Sequence, residues 1–251
     1  MIKVGLLGFG KTGRAVASVL LESELVDLRW IVRKSKKLEH RSISEYLGIP
    51  SDGQGLFYSS EKFTAHEILN QMPVDVIIDF SSQDGIDYYL KEAQLRQIKI
   101  ITAISEYSDD KLQKIKEASE FTTIISSPNI TVGINFLLIA AKILRQIAPY
   151  ADIEIIEEHF KQKPEVSGTS KILANNLGID DKNIKSIRAG GIVGRHEILF
   201  GFPYQTVRLQ HESISREAFG SGILFALKNL PDSKSGLFTM QDLMEPYFKV
   251  S

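Results

Sequence analysis

The sequence predicts an α/β protein, with a parallel sheet covered by helices and then a second domain that contains antiparallel strands. Two observations support this fold class. Short apolar runs rich in β-branched residues alternate with amphipathic stretches up to Pro128, which is typical of parallel strands joined by crossover helices. Beyond Pro128 the alternation ends, and one long helical stretch is followed by strand-like runs that lie close together in sequence.

The first part of the chain contains five candidate strands with helices between them. The helices are predicted to begin near Lys11, Glu61, Gly85 and Ser108. The strand candidates have the continuous apolar composition of strands buried on both faces of a sheet: "IKVGLLG", "VDLRWIV", "VDVIIDFS", "IKIITAI" and "FTTIISS". Because Pro128 stops the last of them, we place a domain boundary near Asn129.

The second part begins with a long helix predicted from about Thr131 to Ala148. The run "DIEIIEEHF" and a short helix come next, before two long strand-like runs, "IKSIRAGGIVGRHEILFG" and "QTVRLQHESI". Since these two runs are close in sequence, we expect them to form an antiparallel pair. A final helix, "FGSGILFALKNL", precedes the C-terminal "GLFTMQDLM". The five earlier strands leave sheet and helix surface that this C-terminal segment can cover.

Composition narrows the classes of partner. The 251 residues include 30 basic and 31 acidic side chains, for a net charge of −1, so nothing in the overall charge attracts nucleic acid or an anionic membrane, and we expect a small ligand. There is no cysteine, which excludes disulfides and thiolate metal sites. The five histidines are scattered without ligand spacing, so we expect no metal. No apolar segment approaches the roughly 20 residues of a membrane span, and we expect a cytoplasmic protein.

A glycine motif lies between the first candidate strand and the first candidate helix: Gly8-Phe9-Gly10-Lys11-Thr12-Gly13. Glycines with this spacing allow a tight turn, the approach of a pyrophosphate to the backbone, and close packing of the helix on the strand. The positive end of the helix faces the phosphate charge. The motif therefore predicts a Rossmann-type dinucleotide-binding domain, and the alternative is a glycine-rich turn with a structural role only.

A basic run after the second candidate strand bears on the choice of dinucleotide. About 20 residues after such a motif, NAD-binding domains carry an acidic residue that accepts hydrogen bonds from the ribose 2′-hydroxyl. That place reads "RKSKK" from Arg33 to Lys37, and no Asp or Glu lies between Asp27 and Glu39. The charges of Arg33 and Lys34 favour the 2′-phosphate of NADPH. The alternative is a solvated loop.

The stretch "EIIEEHFKQKPEVSGTSKILANNLG" contains a second group of candidate residues. His159 and Lys163 are four positions apart, which places them on the same side of the chain whether the backbone is helical or extended. The residues Ser167-Gly168-Thr169 precede a short helix closed by Gly178, so that Ser167 or Thr169 can cap the helix. The N-terminus of that helix would hold a carboxylate.

These groups together point to a class of chemistry. An imidazole that delivers a proton, a lysine that pairs with an anion, a carboxylate site and a nicotinamide from the other domain describe reduction of an acidic C=N, C=O or conjugated C=C substrate. A lone histidine is often structural, and Ser-Gly-Thr is often only a cap. Their clustering after a strand favours the functional interpretation.

In these residues and in several further segments, the chain resembles the dihydrodipicolinate reductase family of the lysine and diaminopimelate pathway. The family signature is approximately E-x-H-H-x-x-K-x-D-A-P-S-G-T, and this chain reads "EEHFKQKPEVSGT" from Glu157 to Thr169. Other segments resemble family segments in the same order along nearly the whole chain: "DFSS" near the nicotinamide, the hinge "SPNITVGIN", the second-domain strand "RAGGIVGRHEILF" and the C-terminal "GLFTMQDLM".

The resemblance implies an NAD(P)H-dependent reductase that converts 4-hydroxy-tetrahydrodipicolinate, a small dicarboxylate, to tetrahydrodipicolinate. It implies that His159 is the general acid/base and Lys163 the proton-donating, substrate-binding lysine. Further substrate-binding residues are expected at Phe160, Ser167, Gly168 and Thr169. Besides the glycine motif, Arg33 and Lys34, further cofactor-binding residues are expected at Phe80, Ser81, Thr102, Ala103, Ile104, Ser127 and Asn129.

The resemblance also implies a domain organisation. Residues 1–128 and 217–251 are expected to form the dinucleotide-binding domain, and residues 129–216 a mixed-sheet α+β domain for substrate binding and oligomerisation. The usual assembly of the family is a homotetramer. Family members use either nucleotide. Because of Arg33 and Lys34, we expect NADPH to be the preferred cofactor of this chain and NADH the second.

The chain departs from the family pattern at three places. Phe160 stands where the family has a second histidine, Glu165-Val166 replaces D-A-P with one residue fewer, and Thr102-Ala103-Ile104-Ser105 replaces the "GTTG" cofactor loop. Two other interpretations stay open: a Rossmann oxidoreductase acting on a different acidic substrate, which Phe160 favours, and a dinucleotide sensor without catalysis, which the presence of both His159 and Lys163 argues against.

Overall fold

The computed structural model of the protein describes residues 1–51, 53–233 and 235–248. The chain divides into two units, Met1–Ile130 with Phe219–Ser251, and Thr131–Ala218. Each unit has a sheet and a hydrophobic core of its own. The roles predicted for the two domains, dinucleotide binding for one and substrate binding with oligomerisation for the other, stay predictions.

The first unit begins with six strands that alternate with five helices. In chain order these elements are β1 (Ile2–Leu7), α1 (Lys11–Leu21), β2 (Val26–Arg33), α2 (Ile43–Leu47), β3 (Leu56–Ser59), α3 (Ala65–Gln71), β4 (Val76–Asp79), α4 (Gly85–Arg96), β5 (Lys99–Thr102), α5 (Asp109–Ala118) and β6 (Thr123–Ser126). All of their strand pairs are parallel. β1 and β4 pair at the centre, and burial on both faces explains their continuous apolar runs.

The second unit contains α6 (Val132–Ile147), β7 (Asp152–His159), α7 (Gly168–Leu177), β8 (Lys185–Arg188), β9 (Arg195–Phe202) and β10 (Gln205–Glu212). Its four strands follow the order β10-β9-β7-β8. The β7–β8 pair is parallel and the other two pairs are antiparallel, so the sheet is mixed. The face that carries Ile155, Ile198 and Phe200 packs into one core with Leu137 and Leu173 of the two helices.

The C-terminal segment adds to the first unit. It contains α8 (Glu217–Lys228), β11 (Gly236–Phe238) and α9 (Met240–Met244). β11 pairs in parallel with β6 and completes the seven-stranded order β11-β6-β5-β4-β1-β2-β3. A Cβ built on Gly220 would lie 2.6 Å from the Cβ of Val19, so glycine permits α8 to approach α1. Single-turn 3-10 helices span Lys36–Leu38, Asp181–Asn183 and Glu245–Phe248.

The predicted fold class is confirmed, with a parallel Rossmann-like sheet and a separate mixed sheet. The antiparallel pairing of the last two runs is also confirmed, as β9 with β10. The prediction of one long strand over "IKSIRAGGIVGRHEILFG" was wrong, because this run forms two strands, β8 and β9. A turn separates them at Gly190, whose φ of +48° lies in the left-handed region that glycine adopts at little cost.

Four elements of the first unit also differ from the prediction. β3 has four residues and α2 has five, which is too short for a hydrophobic period to be recognised. The helix expected near Glu61 begins at Ala65, because Thr64 and Glu67 form a capping box there. β11 likewise has only three residues and was not assigned as a strand.

Among the residues that the structure describes, no helix is both long and apolar enough to cross a membrane. The longest, α6, has 16 residues.

Candidate active site

The expected cofactor-binding residues of the first unit lie at one edge of the parallel sheet. All of them follow the carboxyl ends of strands that neighbour one another: Gly8–Gly13 after β1, Arg33 and Lys34 at the end of β2, Phe80 and Ser81 after β4, Thr102–Ile104 at the end of β5, and Ser127 and Asn129 after β6. The strand order changes direction between β1 and β4. Crevices at such a point in an open α/β sheet are where ligands bind.

The three glycines of the motif have different surroundings. Gly8 has a φ of +90°, and a Cβ on it would lie 2.5 Å from the carbonyl oxygen of Phe80. A Cβ on Gly13 would lie 2.2 Å from the carbonyl oxygen of Gly8. A Cβ on Gly10 would meet no atom of the described chain within 4 Å. The fold therefore requires the first and third glycines, whereas Gly10 leaves open space at the N-terminus of α1.

Aromatic side chains stand beside this turn. The Phe9 ring packs edge-to-face on Phe57 at a centroid distance of 4.8 Å and on Tyr46 at 5.8 Å. The Arg14 guanidinium lies 5.4 Å from the centroid of Phe9 and donates a hydrogen bond of 3.0 Å to the Tyr46 hydroxyl. Phe9 is thus held by neighbours on α1, α2 and β3, of which Arg14 and Tyr46 are not among the residues predicted from the sequence.

A buried carboxylate supports the turn after β4. Asp79 accepts hydrogen bonds from the backbone N–H of Ser81 at 2.8 Å, from the Ser81 hydroxyl at 2.6 Å, and from the Tyr89 hydroxyl at 3.0 Å. Burial raises the pKa of Asp79, and these hydrogen bonds oppose the rise. Asp79 therefore fixes the backbone of the segment that places Phe80 and Ser81 at the edge of the sheet.

The basic pair at the end of β2 is available for an anion. Arg33 is half-buried and Lys34 is exposed, and neither forms an ion pair with a carboxylate within residues 1–51, 53–233 and 235–248. The backbone there is fixed by two hydrogen bonds: Ser60 donates its N–H to the Arg33 carbonyl, and the Ser59 hydroxyl donates to the Lys34 carbonyl.

The second unit places a histidine and a carboxylate side by side. Glu157 and His159 lie two positions apart on β7, so both point to the same face of the sheet. Nδ1 of His159 contacts Oε2 of Glu157, whose side chain is completely buried. Since a carboxylate only accepts hydrogen bonds, Nδ1 carries the proton and the lone pair of the neutral ring is at Nε2.

The second oxygen of Glu157 is also occupied. Oε1 accepts hydrogen bonds of 2.6 Å from Ser186 and of 2.6 Å from the guanidinium of Arg188. The parallel register of β7 and β8 creates this arrangement, because it places Ser186 beside Glu157 and Arg188 beside His159. Arg188 also donates hydrogen bonds to the carbonyl oxygens of Lys163 at 3.1 Å and Glu165 at 2.9 Å.

These contacts shift the pKa values of both groups. Burial would raise the pKa of Glu157, but hydrogen bonds from Arg188, Ser186 and His159 outweigh it and hold the pKa below its usual value. Burial lowers the pKa of His159, and the positive charges of Lys163 and Arg188 lower it further, against the opposing effect of Glu157. His159 is therefore a neutral imidazole near neutral pH.

Lys163 lies near His159 by way of a turn. Its N–H donates to the carbonyl oxygen of Phe160 at 3.1 Å, so the backbone between Phe160 and Lys163 forms a turn and is neither of the two predicted alternatives, helix or extended strand. Arg188, which lies beside His159 in the sheet, donates a hydrogen bond to the Lys163 carbonyl oxygen, and the positive charge of Lys163 lowers the pKa of His159. Phe160 is 41% exposed.

A second histidine connects this group to the start of α7. His196 of β9 lies opposite Glu157, and its ring centroid is 5.3 Å from that of His159. Its Nε2 is 2.9 Å from the hydroxyl oxygen of Ser167, which caps α7 by accepting the N–H of Ser170 at 3.0 Å. Burial lowers the pKa of His196 to about 3, so this imidazole is neutral at physiological pH.

The start of α7 settles one question that the sequence left open. Ser167 is the N-cap, and Gly168 and Thr169 are the first two residues of the helix. The first turn of α7 has no acidic residue, and a Cβ on Gly168 would meet no atom within 4 Å in the described ranges. This helix end is electrostatically suited to an anion. Gly178 ends the helix in the left-handed conformation, as predicted.

Glu157, Arg188 and His196 are not among the site residues predicted from the sequence. Two of them could have been found from alternation, because Glu157 and His196 each stand on the apolar face of a strand, in line with Ile155 and with Ile198. A carboxylate or an imidazole in such a line must be hydrogen-bonded. Histidines that are scattered in the sequence are thus adjacent in the sheet.

The fold and these residues define the class as a two-domain oxidoreductase that uses a nicotinamide dinucleotide. The family models for the N-terminus and the C-terminus of dihydrodipicolinate reductase match residues 2–130 and 130–244. The chain therefore belongs to the dihydrodipicolinate reductase family.

Individual relatives agree with this membership. The chain is 34% identical to the 4-hydroxy-tetrahydrodipicolinate reductase of Caldanaerobacter subterraneus subsp. tengcongensis, over 68% of this chain and 77% of that protein. It is 32% identical to the enzyme of that name from Clostridium novyi, over 74% and 83%. A solved dipicolinate-bound dihydrodipicolinate reductase from Paenisporosarcina sp. TG-14 shares the fold with a TM-score of 0.78, at 22% identity, covering 95% of this chain and 97% of that one.

Proposed function

We propose that the protein reduces 4-hydroxy-tetrahydrodipicolinate to tetrahydrodipicolinate with NAD(P)H, in the biosynthesis of diaminopimelate and lysine. The observation that carries the proposal is the His159 imidazole, held through Nδ1 by a buried carboxylate beside Lys163. Family membership supports the choice of substrate, because the relatives with that activity cover most of this chain. The net reaction takes up one hydride and one proton and releases one water.

The residues of the second unit would handle the proton and the substrate anion. His159, neutral with its lone pair at Nε2, takes up a proton and returns it as general acid/base. The Lys163 ammonium pairs with the substrate anion and donates a proton. Ser167, Gly168 and Thr169 present the positive end of α7 to a substrate carboxylate. Phe160, which follows His159 in the chain, is exposed and would contact the substrate through its ring rather than through a hydrogen bond.

The residues of the first unit fit a dinucleotide. The open space at Gly10 lets a pyrophosphate approach the start of α1. Phe80, Ser81, Thr102–Ile104, Ser127 and Asn129 follow neighbouring strand ends at the same edge. When bound, the reduced nicotinamide supplies the hydride.

Purified protein with freshly generated 4-hydroxy-tetrahydrodipicolinate should oxidise NADPH, which is followed by the loss of absorbance of the reduced nicotinamide. Tetrahydrodipicolinate should accumulate in equal amount. If NADPH is stable with this substrate but is consumed with another small carboxylate, the protein is the alternative oxidoreductase that Phe160 favours. If the cofactor binds and no substrate is reduced, it is a sensor.

NADPH is the proposed preferred cofactor, because Arg33 and Lys34 stand at the end of β2 without carboxylate partners among the described residues. A charge-assisted hydrogen bond contributes about 1.5–3 kcal/mol, so partial loss to solvent leaves roughly a tenfold or greater preference over NADH. Arg33→Ala with Lys34→Ala should raise KM for NADPH, barely change KM for NADH, and remove the salt sensitivity of the preference for NADPH. Lys36→Ala with Lys37→Ala, a pair three residues further along the chain, is the matched control. Equal kcat/KM for both nucleotides in the unmodified protein at low salt would contradict the preference.

A homotetramer built through the second unit is part of the same proposal. Ile143 and Ile147 of α6 and the adjacent Tyr150 are large apolar side chains that are 40%, 71% and 71% exposed in the single chain. Such exposure on one helix and its end is typical of surfaces that associate. The cytoplasmic location predicted from the sequence stays a prediction.

A further inference from the structure

The residues around His159 include a buried ion pair whose two members have no assigned part in the reaction. Glu157 and Arg188 are joined at 2.6 Å, and their side chains are 0% and 20% exposed. A buried charge pair costs desolvation free energy, and it adds little net stability unless further hydrogen bonds are made. The further contacts of Glu157 and of Arg188 therefore indicate why the pair is present.

Glu157 contacts the imidazole of His159 through Oε2, while Oε1 is held by Ser186 and Arg188. The carboxylate is thus fixed at both oxygens and cannot rotate away from the ring. A fixed acceptor at Nδ1 selects one of the two neutral tautomers of His159, the one with its lone pair at Nε2. Only the opposite nitrogen is then left for proton exchange.

Arg188 contacts the chain that carries Lys163. Its guanidinium donates to the carbonyl oxygens of Lys163 and Glu165, which flank Pro164 in the segment between β7 and α7. Proline has no N–H, and these two contacts attach the segment to the sheet on either side of it. The position of the Lys163 backbone therefore depends on Arg188, and through Arg188 on Glu157.

We propose that Glu157 and Arg188 are a positioning pair for proton transfer: Glu157 fixes the tautomer of His159, and Arg188 holds the Lys163 segment at a set place relative to that ring. The proposal rests on the proposed function for the roles of His159 and Lys163. The charged and titratable groups that face His159 are Glu157 from β7, Arg188 from β8, His196 from β9, and Lys163 from the segment after β7.

The first test is independent of turnover. In the ¹⁵N-histidine NMR spectrum of the unmodified protein near neutral pH, His159 should show a protonated Nδ1 and an unprotonated Nε2. Its signals are assigned by their absence from the His159→Gln spectrum. A proton on Nε2 instead would overturn the role of Glu157, whatever the enzyme turns over.

The second test separates the members of the pair. Glu157→Gln removes the charge that raises the pKa of His159, so the limb of the pH–rate profile that belongs to this imidazole should move to lower pH. The value of kcat should fall at least about tenfold, because an amide can donate as well as accept and no longer selects one tautomer. Ser186→Ala is the matched control: it removes a hydrogen bond to Glu157 but keeps the carboxylate at His159, so the pH limb should stay in place.

Arg188→Lys tests the other half of the pair. Lysine keeps the positive charge but cannot donate to Glu157 and to two carbonyl oxygens with the geometry of a guanidinium. It should raise KM for the substrate and lower kcat several-fold, while His159 keeps its Nδ1 proton in the NMR spectrum.

A Glu157→Gln protein that is folded, with unchanged kcat and an unmoved pH limb, would overturn the proposal. If the unmodified protein turns over no substrate, the proposed function fails, and the NMR result still decides the role of Glu157.

Discussion

Replacing His159 by Gln, or Lys163 by Ala, is expected to lower kcat by about 10²- to 10⁴-fold. Glutamine can fill part of the space of the imidazole beside Glu157 but cannot take up and return a proton. Removal of the Lys163 ammonium takes away a proton source and the charge that pairs with the substrate anion. Because both residues lie in the second unit, the dissociation constant for NADPH should stay nearly unchanged. Initial rates at saturating cofactor and substrate, together with fluorescence titration of NADPH, measure the two quantities.

Lys161→Ala is the matched control for Lys163→Ala. Lys161 is exposed and lies two residues away in the same turn, so its replacement removes the same charge without removing the proposed proton source. Its kcat should stay within about threefold of the unmodified value, as expected of a screened surface charge. Near wild-type turnover of either His159→Gln or Lys163→Ala would show that the proton comes from elsewhere.

The second large effect is expected at Gly8. Gly8→Ala places a Cβ 2.5 Å from the Phe80 carbonyl oxygen at a φ of +90°. Backbone strain of about 1–3 kcal/mol adds to overpacking of about 1–3 kcal/mol, so the free energy of unfolding should fall by roughly 3 kcal/mol. Denaturant unfolding followed by the fluorescence of Trp30, the single tryptophan, reports on the first unit.

Gly10→Ala distinguishes a dinucleotide site from a structural turn. A Cβ at Gly10 meets nothing within 4 Å of the described chain, and its extended backbone suits alanine, so the free energy of unfolding should change by less than about 0.5 kcal/mol. The methyl group would occupy the space proposed for the pyrophosphate, and the dissociation constant for NADPH should rise by about tenfold or more. An unchanged NADPH affinity in a stable Gly10→Ala protein would mean that the turn is structural only.

Local patterns in the sequence were sufficient for much of this molecule. The strand, glycine turn and helix from Ile2 to Leu21 were predictable, because a buried strand, a phosphate-binding turn and an amphipathic helix each have a period or a spacing of their own. The helix of Val132–Ile147 and the Gly178 stop were predictable for the same reason. Elements of three to five residues, such as β3 and β11, were not, since pairing with a neighbouring strand defines them.

The sequence by itself determined the fold class, and it predicts the edge of the sheet for a dinucleotide and the pair His159 and Lys163, because all of these depend on residues close together in the chain. Only the tertiary structure decided what surrounds His159. Glu157 acquires Ser186 and Arg188 through the register of β7 with β8, and His196 through the register of β7 with β9. Strand register depends on which hydrophobic faces are buried together across many residues, so contacts between positions about 30 residues apart, such as Glu157 and Arg188, cannot be obtained from local spacing.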